Sequence, residues 1–375
     1  MRIGDPRQEK TSFQPFIGNL SRFIHIAIHS LPSQSRTGII IPSTYKSLSI
    51  LSNIRNDITR VKTYQMKSRL VSKWTEDFLR GRPMRANSLI ITIYGDSIAP
   101  HGGSVWLGSF INLAKSLGIN DRLVRTSVFR LSKDSWLASE HIGRRSYYGL
   151  TATGRRRFEH AYRRIYSQPK VHWEGDWQLV LTGSSVLTAA QRDDVRKELQ
   201  WEGFGLIAPG VLAHPSANPE PLMDILQSND VHDKVVVLRA KNLGPLVNKP
   251  TRELVRDCWS LGLISQDYKR FLDRFRPVLK AFKNAKELDP EQCFVVRTLL
   301  MHEFRRTLLR DPQLPDQLLP HDWPGNAARQ LCRELYVLTQ REAENHLMSV
   351  LETASGRLPE AAPYFYERFD GLGTA

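Results

Sequence analysis

The sequence predicts an α+β chain in three successive parts: a basic helix-and-hairpin region, a strand–helix middle and an all-helical end. Apolar residues recur at spacings of three and four over Trp106–Leu117 and again after Asn120, and a short hairpin pattern follows. Between Trp177 and Ala240, short apolar runs alternate with amphipathic segments in the order βαββαβ. Beyond Lys249 nearly every segment repeats at helical spacing, with breaks at Asp289-Pro290 and from Asp311-Pro312 through Pro324. The expected parts are 84–169, 170–246 and 247–354, preceded by an extension over 1–83 and followed by a tail over 355–375.

Taken in order, residues 1–83 mix Ser, Thr, Asn and Arg with isolated apolar runs such as FIHIAIHSL, without sustained periodicity. A poorly ordered extension is expected there, and Met66 and Met84 each precede a stretch that could open a shorter natural product. SLIITIYGDSI predicts a helix, apolar at Leu89, Ile90, Ile93 and Tyr94, that stops at Gly95-Asp96; a turn follows at Gly102-Gly103. A second helix spans Trp106–Leu117 and is stopped by Gly118. Asn120 caps a third, running to about Ser132, because its side-chain oxygen can accept from a first-turn amide. Trp136–Leu150 predicts two strands around the tip HIGRRSYYG, and Ala152–Tyr166 an arginine-rich helix.

The middle reads as a strand at Trp177–Gly183, a helix at Thr188–Trp201, strands GFGLI and GVLAH, a helix near Leu222–Gln227 and a strand at Lys234–Ala240. Two crossovers in that order give the four-stranded antiparallel sheet of a ferredoxin-like domain. Helices are expected over 250–263, 266–288, 290–310 and 325–351.

The net charge of +15 is unevenly spread. Residues 1–170 hold 28 Lys/Arg against 10 Asp/Glu, and residues 171–375 hold 25 against 28. A positive front suits a polyanion such as nucleic acid. The sequence has no run of roughly 18 to 20 apolar residues and no signal-peptide pattern, so a cytoplasmic location without membrane contact is expected. Cys258, Cys293 and Cys332 are odd in number and far apart, as in a reducing compartment.

The chemistry concentrates in Trp106–Leu150. Two helices joined by a glycine turn and followed by a basic hairpin make a winged helix-turn-helix, whose second helix enters the major groove of double-stranded DNA. On a helical wheel Leu123, Val124, Val128 and Leu131 fall on the buried side. Arg122, Thr126, Phe129, Arg130 and Lys133 spread over the other side, with Arg125 on its flank. Guanidinium forks match guanine edges and phosphates. Arg144, Arg145 and Tyr147 stand at the hairpin tip, where cations suit phosphates or the narrow minor groove.

SLIITIYGDSIAPHGGSVWLGSFINLAKSLGINDRLVRTSVFRLSKDSWLASEHIGRRSYYGLTATGRRRF resembles the N-terminal domain of PaaX-type repressors of phenylacetic acid catabolism. The resemblance continues through WEGDWQLVLTG, ELQWEGFGLIAPGVLAHP and FVVRTLLMHEFRRTLLRDPQLPDQLLPHDWPG, covering roughly 85–350. It implies winged-helix, ferredoxin-like and helical domains in a homodimer that binds an operator and is released by phenylacetyl-CoA.

Such an effector needs apolar walls for an acyl group and cations for a phosphate-bearing tail. Trp173, Trp177, Trp201 and Tyr268, with Arg239 and Arg274, are the candidate residues. Catalysis, a metal and a cofactor are not expected. Walker, GxGxxG, HExxH and GxSxG patterns are absent. The middle domain also resembles small nucleases that carry a metal-binding Asp at the end of the first strand. Here that strand ends Leu181-Thr182-Gly183, so Mg²⁺ has no evident anchor. A fragment ending near Ser167 is expected still to bind DNA weakly but to ignore the ligand.

Overall fold

The computed structural model describes residues 70–81, 85–167, 173–183, 186–215, 219–241, 251–285 and 287–372. The expected extension therefore lies outside the described residues up to position 69, and at its end the expectation fails. Residues 70–81 form helix α1, which buries Val71 and lays Trp74 and Phe78 against Phe275, with ring centroids 5.4 and 6.0 Å apart. Trp74 Nε1 donates to the Arg274 carbonyl at 3.1 Å. Val71, Trp74 and Phe78 are a three-and-four stripe, concealed by the polar composition of the longer segment.

Helix α2 (Ala86–Ile93) does not stop at Gly95-Asp96. It continues through a π-helical turn, Tyr94–Ile98, and a 3₁₀ turn, Ala99–His101, and ends at Gly102 (φ 88°). Gly95 serves close packing instead, since a Cβ there would sit 2.8 Å from the Phe158 ring. Strand β1 (Ser104–Trp106) takes the first residue of the expected second helix, leaving α3 as Leu107–Lys115. Gly118 (φ 72°) turns the chain into α4 (Asp121–Lys133). Strands β2 (Leu137–Ile142) and β3 (Arg145–Leu150) make the expected hairpin, and β1 pairs with β3 to give the order β1-β3-β2. Helix α5 (Ala152–Tyr166) follows, capped by Thr151.

The middle runs β4 (Asp176–Leu181), α6 (Ala189–Trp201), β5 (Gly205–Ala208), β6 (Val211–His214), α7 (Pro219–Ser228) and β7 (Val236–Lys241). Its sheet has the order β5-β6-β4-β7, every neighbour antiparallel. Val180 and Leu212 pack with Val195, Leu199, Leu222 and Leu226 of the two helices, while Trp177 and Ala213 belong to a second core with Val255 and Trp259.

The helical end comprises α8 (Thr251–Cys258), α9 (Leu261–Lys283), α10 (Pro290–Leu308) and α11 (Gly325–Val350). The first break falls at Trp259-Ser260 because Trp259 leaves the helix, covers Gly205 and donates Nε1 to the Gly203 carbonyl at 2.8 Å. The expected tail is also corrected. A hairpin of β8 (Glu352–Thr353) and β9 (Gly356–Arg357) and a short α12 (Pro363–Tyr366) follow α11, and Leu358, Phe365, Phe369 and Leu372 are buried. One apolar core joins the first part to the last: Leu89, Ile93, Phe110 and Val124 lie in the same cluster as Phe275, Phe294, Leu299, Phe304 and Leu335. Among the described residues, no helix is long and apolar enough to cross a membrane.

Candidate nucleic-acid interface

Asn120 accepts the Leu123 amide at 2.9 Å, so α4 starts where the sequence expects. Val124, Ser127, Val128 and Leu131 face inward. The opposite side is open: Arg122, Arg125, Thr126, Phe129, Arg130 and Lys133 are all exposed. Leu123 joins them at 45% exposure, which corrects its expected burial. It lies in the first turn on the flank of the 124–127–128–131 stripe.

The exposed groups differ in how they are held. Arg125 pairs with Asp121 one turn earlier at 2.5 Å, Thr126 donates to the Arg122 carbonyl at 2.8 Å, and Lys133 sits 5.2 Å from the Phe129 ring centre. Exposed pairs of this kind are weak and readily exchanged.

At the hairpin tip Gly143 (φ 59°) makes the turn and Arg144 is exposed. Arg145 is engaged: its guanidinium lies 4.2 Å from the Trp106 ring centre and 2.6 Å from Glu352 of β8. Tyr147, expected at the tip surface, is buried. The unexpected strand β1 makes β3 central, and Tyr147 is paired between Trp106 and Glu140. On α5, Arg156 is exposed, whereas Arg157 donates to the Asp134 carbonyl at 3.1 Å and Arg164 is buried, donating to the carbonyls of Trp201 and Asp311 at 2.8 Å each.

The six residues expected for an effector pocket are not brought together. Trp173 and Trp177 meet edge-on in the core beside Trp259, and Trp201 stacks on His160 at the end of α6. Arg239 is tied to Asp176 across β7 and β4, and Tyr268 donates to Asp311 at 2.8 Å. Arg274 pairs with Glu303 at 3.2 Å in a different cavity from the one Tyr268 lines. Helical and strand periodicity identifies an inward side chain without identifying which neighbours it meets. Asp176 opens β4, at the opposite end from the expected nuclease position, and is held by Arg239 and Lys241.

A buried charged cluster went unnoticed in the sequence. Asp96 accepts from Tyr166 at 2.6 Å and Tyr336 at 3.1 Å, and lies 3.3 Å from both Arg297 and Arg368. Arg297 also pairs with Glu344 at 2.6 Å, and Glu344 reaches His101 at 2.8 Å. Rings of Tyr166 and Phe365 cover the Arg368 guanidinium at 4.3 and 4.6 Å. The cluster ties the turn after α2 to α10, α11 and the C-terminal segment. The available signal was an arginine set among aromatics, PYFYERF.

Three family models match the chain: PaaX-like protein over residues 85–154, PaaX protein central Cas2-like domain over 170–255, and PaaX-like protein C-terminal domain over 259–349. The transcriptional repressor PaaX of Escherichia coli (strain K12) is 39% identical over 291 residues, spanning 77% of this chain and 92% of that protein. A solved structure of an uncharacterized protein from Mycobacterium tuberculosis aligns at a TM-score of 0.41 with 24% identity, over 64% of this chain and 91% of that one.

Proposed function

The chain belongs to the PaaX-like family of transcriptional repressors, and we propose that it represses an aromatic-acid operon by binding its operator as a homodimer in the cytoplasm. The family regulates transcription and is not enzymatic. In this reading residues 84–169 act as a winged helix-turn-helix, with α4 in the major groove and the β2–β3 hairpin as the wing. The observation that carries it is the outer face of α4, where Arg122, Arg125, Arg130 and Lys133 are all exposed, as is Arg144 at the hairpin tip. The strand order β5-β6-β4-β7 supports a ferredoxin-like reading of the middle.

In this reading an aryl-acyl-CoA such as phenylacetyl-CoA releases the repressor, as the resemblance to PaaX-type repressors implies. The ligand must bind the free protein more tightly than the DNA-bound protein, because equal affinity shifts nothing. The test is fluorescence anisotropy on an operator selected from genomic DNA, titrated at fixed salt with and without phenylacetyl-CoA. Operator affinity should fall by about 1–3 kcal/mol, and phenylacetate alone should do much less. Operator binding that saturating ligand leaves unmoved would favour an architectural DNA-binding protein without an effector.

A further inference from the structure

We propose that the cavity bounded by α1, the start of α2, α9 and α10 binds an organic anion with a flat apolar group, and that its occupancy is transmitted to α4. This rests on the effector reading above and gives that ligand a place. The cavity measures about 700 Å³, within the roughly 300–1,000 Å³ of ligand sites. Trp74 and Phe78 supply aromatic walls, and Arg85, Arg274 and Arg306 supply three guanidiniums. The acids are Asp77, which is exposed, and Glu303, which Arg274 and Arg306 share at 3.2 and 3.4 Å. Arg85 pairs with no acid among the described residues. The balance favours a ligand carrying negative charge.

The start of α2 adds to that balance. No side chain caps it at Arg85 and its first turn carries no acid; the Ser88 amide donates to the Arg85 carbonyl at 2.9 Å, and no capping side chain accepts from the amides before it. A second cavity, about 650 Å³ beside Tyr268 and Trp323, sets Asp311, Asp316 and Asp370 against Arg329 and Arg333 and suits an anion poorly.

The route outward is short. Ser88 lines the cavity and takes Arg305 on both its carbonyl and hydroxyl oxygens at 3.2 Å. One turn on, Thr92 is hydrogen-bonded to His302, another lining residue, at 3.1 Å. These contacts fix α2 on α10, and α2 packs directly against the inner side of α4. An anion drawn to Arg85 and Ser88 acts on the helix that seats α4.

The full-length chain, Arg85→Glu and Arg306→Glu, and Arg333→Glu as a control at the other cavity, should be titrated with phenylacetyl-CoA and with 8-anilinonaphthalene-1-sulfonate. All three residues touch solvent, so melting temperatures should hold. The first two variants should raise Kd for both probes by about tenfold or more, and the control should not. If phenylacetyl-CoA binds the native chain and both cavity variants alike, the cavity proposal is overturned and the effector reading stands. If phenylacetyl-CoA does not bind the native chain, the effector reading falls and the sulfonate decides. Loss of sulfonate binding in the two variants alone then upholds the cavity, and unchanged or absent binding overturns it.

Discussion

Arg125 pairs with Asp121, whereas Arg122 extends from the exposed face of α4 with no ion pair among the described residues. Arg122→Ala should therefore weaken specific operator binding by about 1–3 kcal/mol if the side chain reaches a base, with the melting temperature unchanged. Unaltered anisotropy titrations would remove this residue from the groove. Arg144→Ala should weaken all sequences alike and flatten the log–log salt dependence by about one. Two buried histidines set a different measurement. Burial, partly offset by the Pro312 carbonyl for His214, holds His214 and His302 at about 4, against about 6.5 unfolded. The unfolded chain takes up these protons first as pH falls. Their contribution is thus complete above about pH 6.5 and is lost towards pH 4, on the order of 3 kcal/mol each. Asp311, raised by burial, works in the opposite direction. Urea midpoints should be flat near neutrality and drop between pH 6.5 and 4; a rise over that interval would contradict the assignment.

At the scale of elements, α4, the β2–β3 hairpin, α5 and the succession of strands and helices in the middle were legible because each carries its own local signal. Asn120 and Thr151 are caps, Gly143 is a turn residue, and Thr188 with Gln191 is a capping box. What was not legible depends on distant partners. Helix α1 rests on Phe275, about two hundred positions away, and the C-terminal segment rests on Asp96. The local traces, the Val71, Trp74 and Phe78 stripe and the arginine set among aromatics in PYFYERF, do not name the distant partner. The same physics makes both segments necessary. A chain starting at Met66 keeps α1 and should melt like the full chain, whereas one starting at Met84 loses the Val71, Trp74 and Phe78 contacts and should melt lower. Arg368→Met should cost about 3–5 kcal/mol in urea denaturation, because a buried carboxylate would lose one of its two cations. A loss below 1 kcal/mol would mean that Arg297 and the two tyrosines suffice for Asp96.

Over the whole molecule, the division of labour along the sequence does not coincide with the division of the cores. The core of the region expected to bind DNA is continuous with that of the helical end: Leu89, Ile90, Ile93 and Tyr94 of α2 and its π turn are buried in one cluster with α9, α10 and α11. The middle sheet, by contrast, packs Val180 and Leu212 with its own helices α6 and α7. A fragment of residues 84–167 would uncover the outer side of α2 and leave Asp96 without Arg297, Arg368 and Tyr336. Exposed apolar area costs about 25 cal/mol per Å², and a buried carboxylate robbed of its cations adds several kcal/mol. Where the sequence alone leads to weak DNA binding by a fragment ending near Ser167, the shared core leads to a stricter expectation. The fragment should show weak, non-cooperative denaturation and no specific operator binding, and adding the separately expressed segment 251–372 should restore both. A fragment that melts cooperatively and selects the operator unaided would show that α2 holds α4 without the helical end. The coupling route from the cavity through Ser88 and Thr92 would then have no means of reaching the DNA.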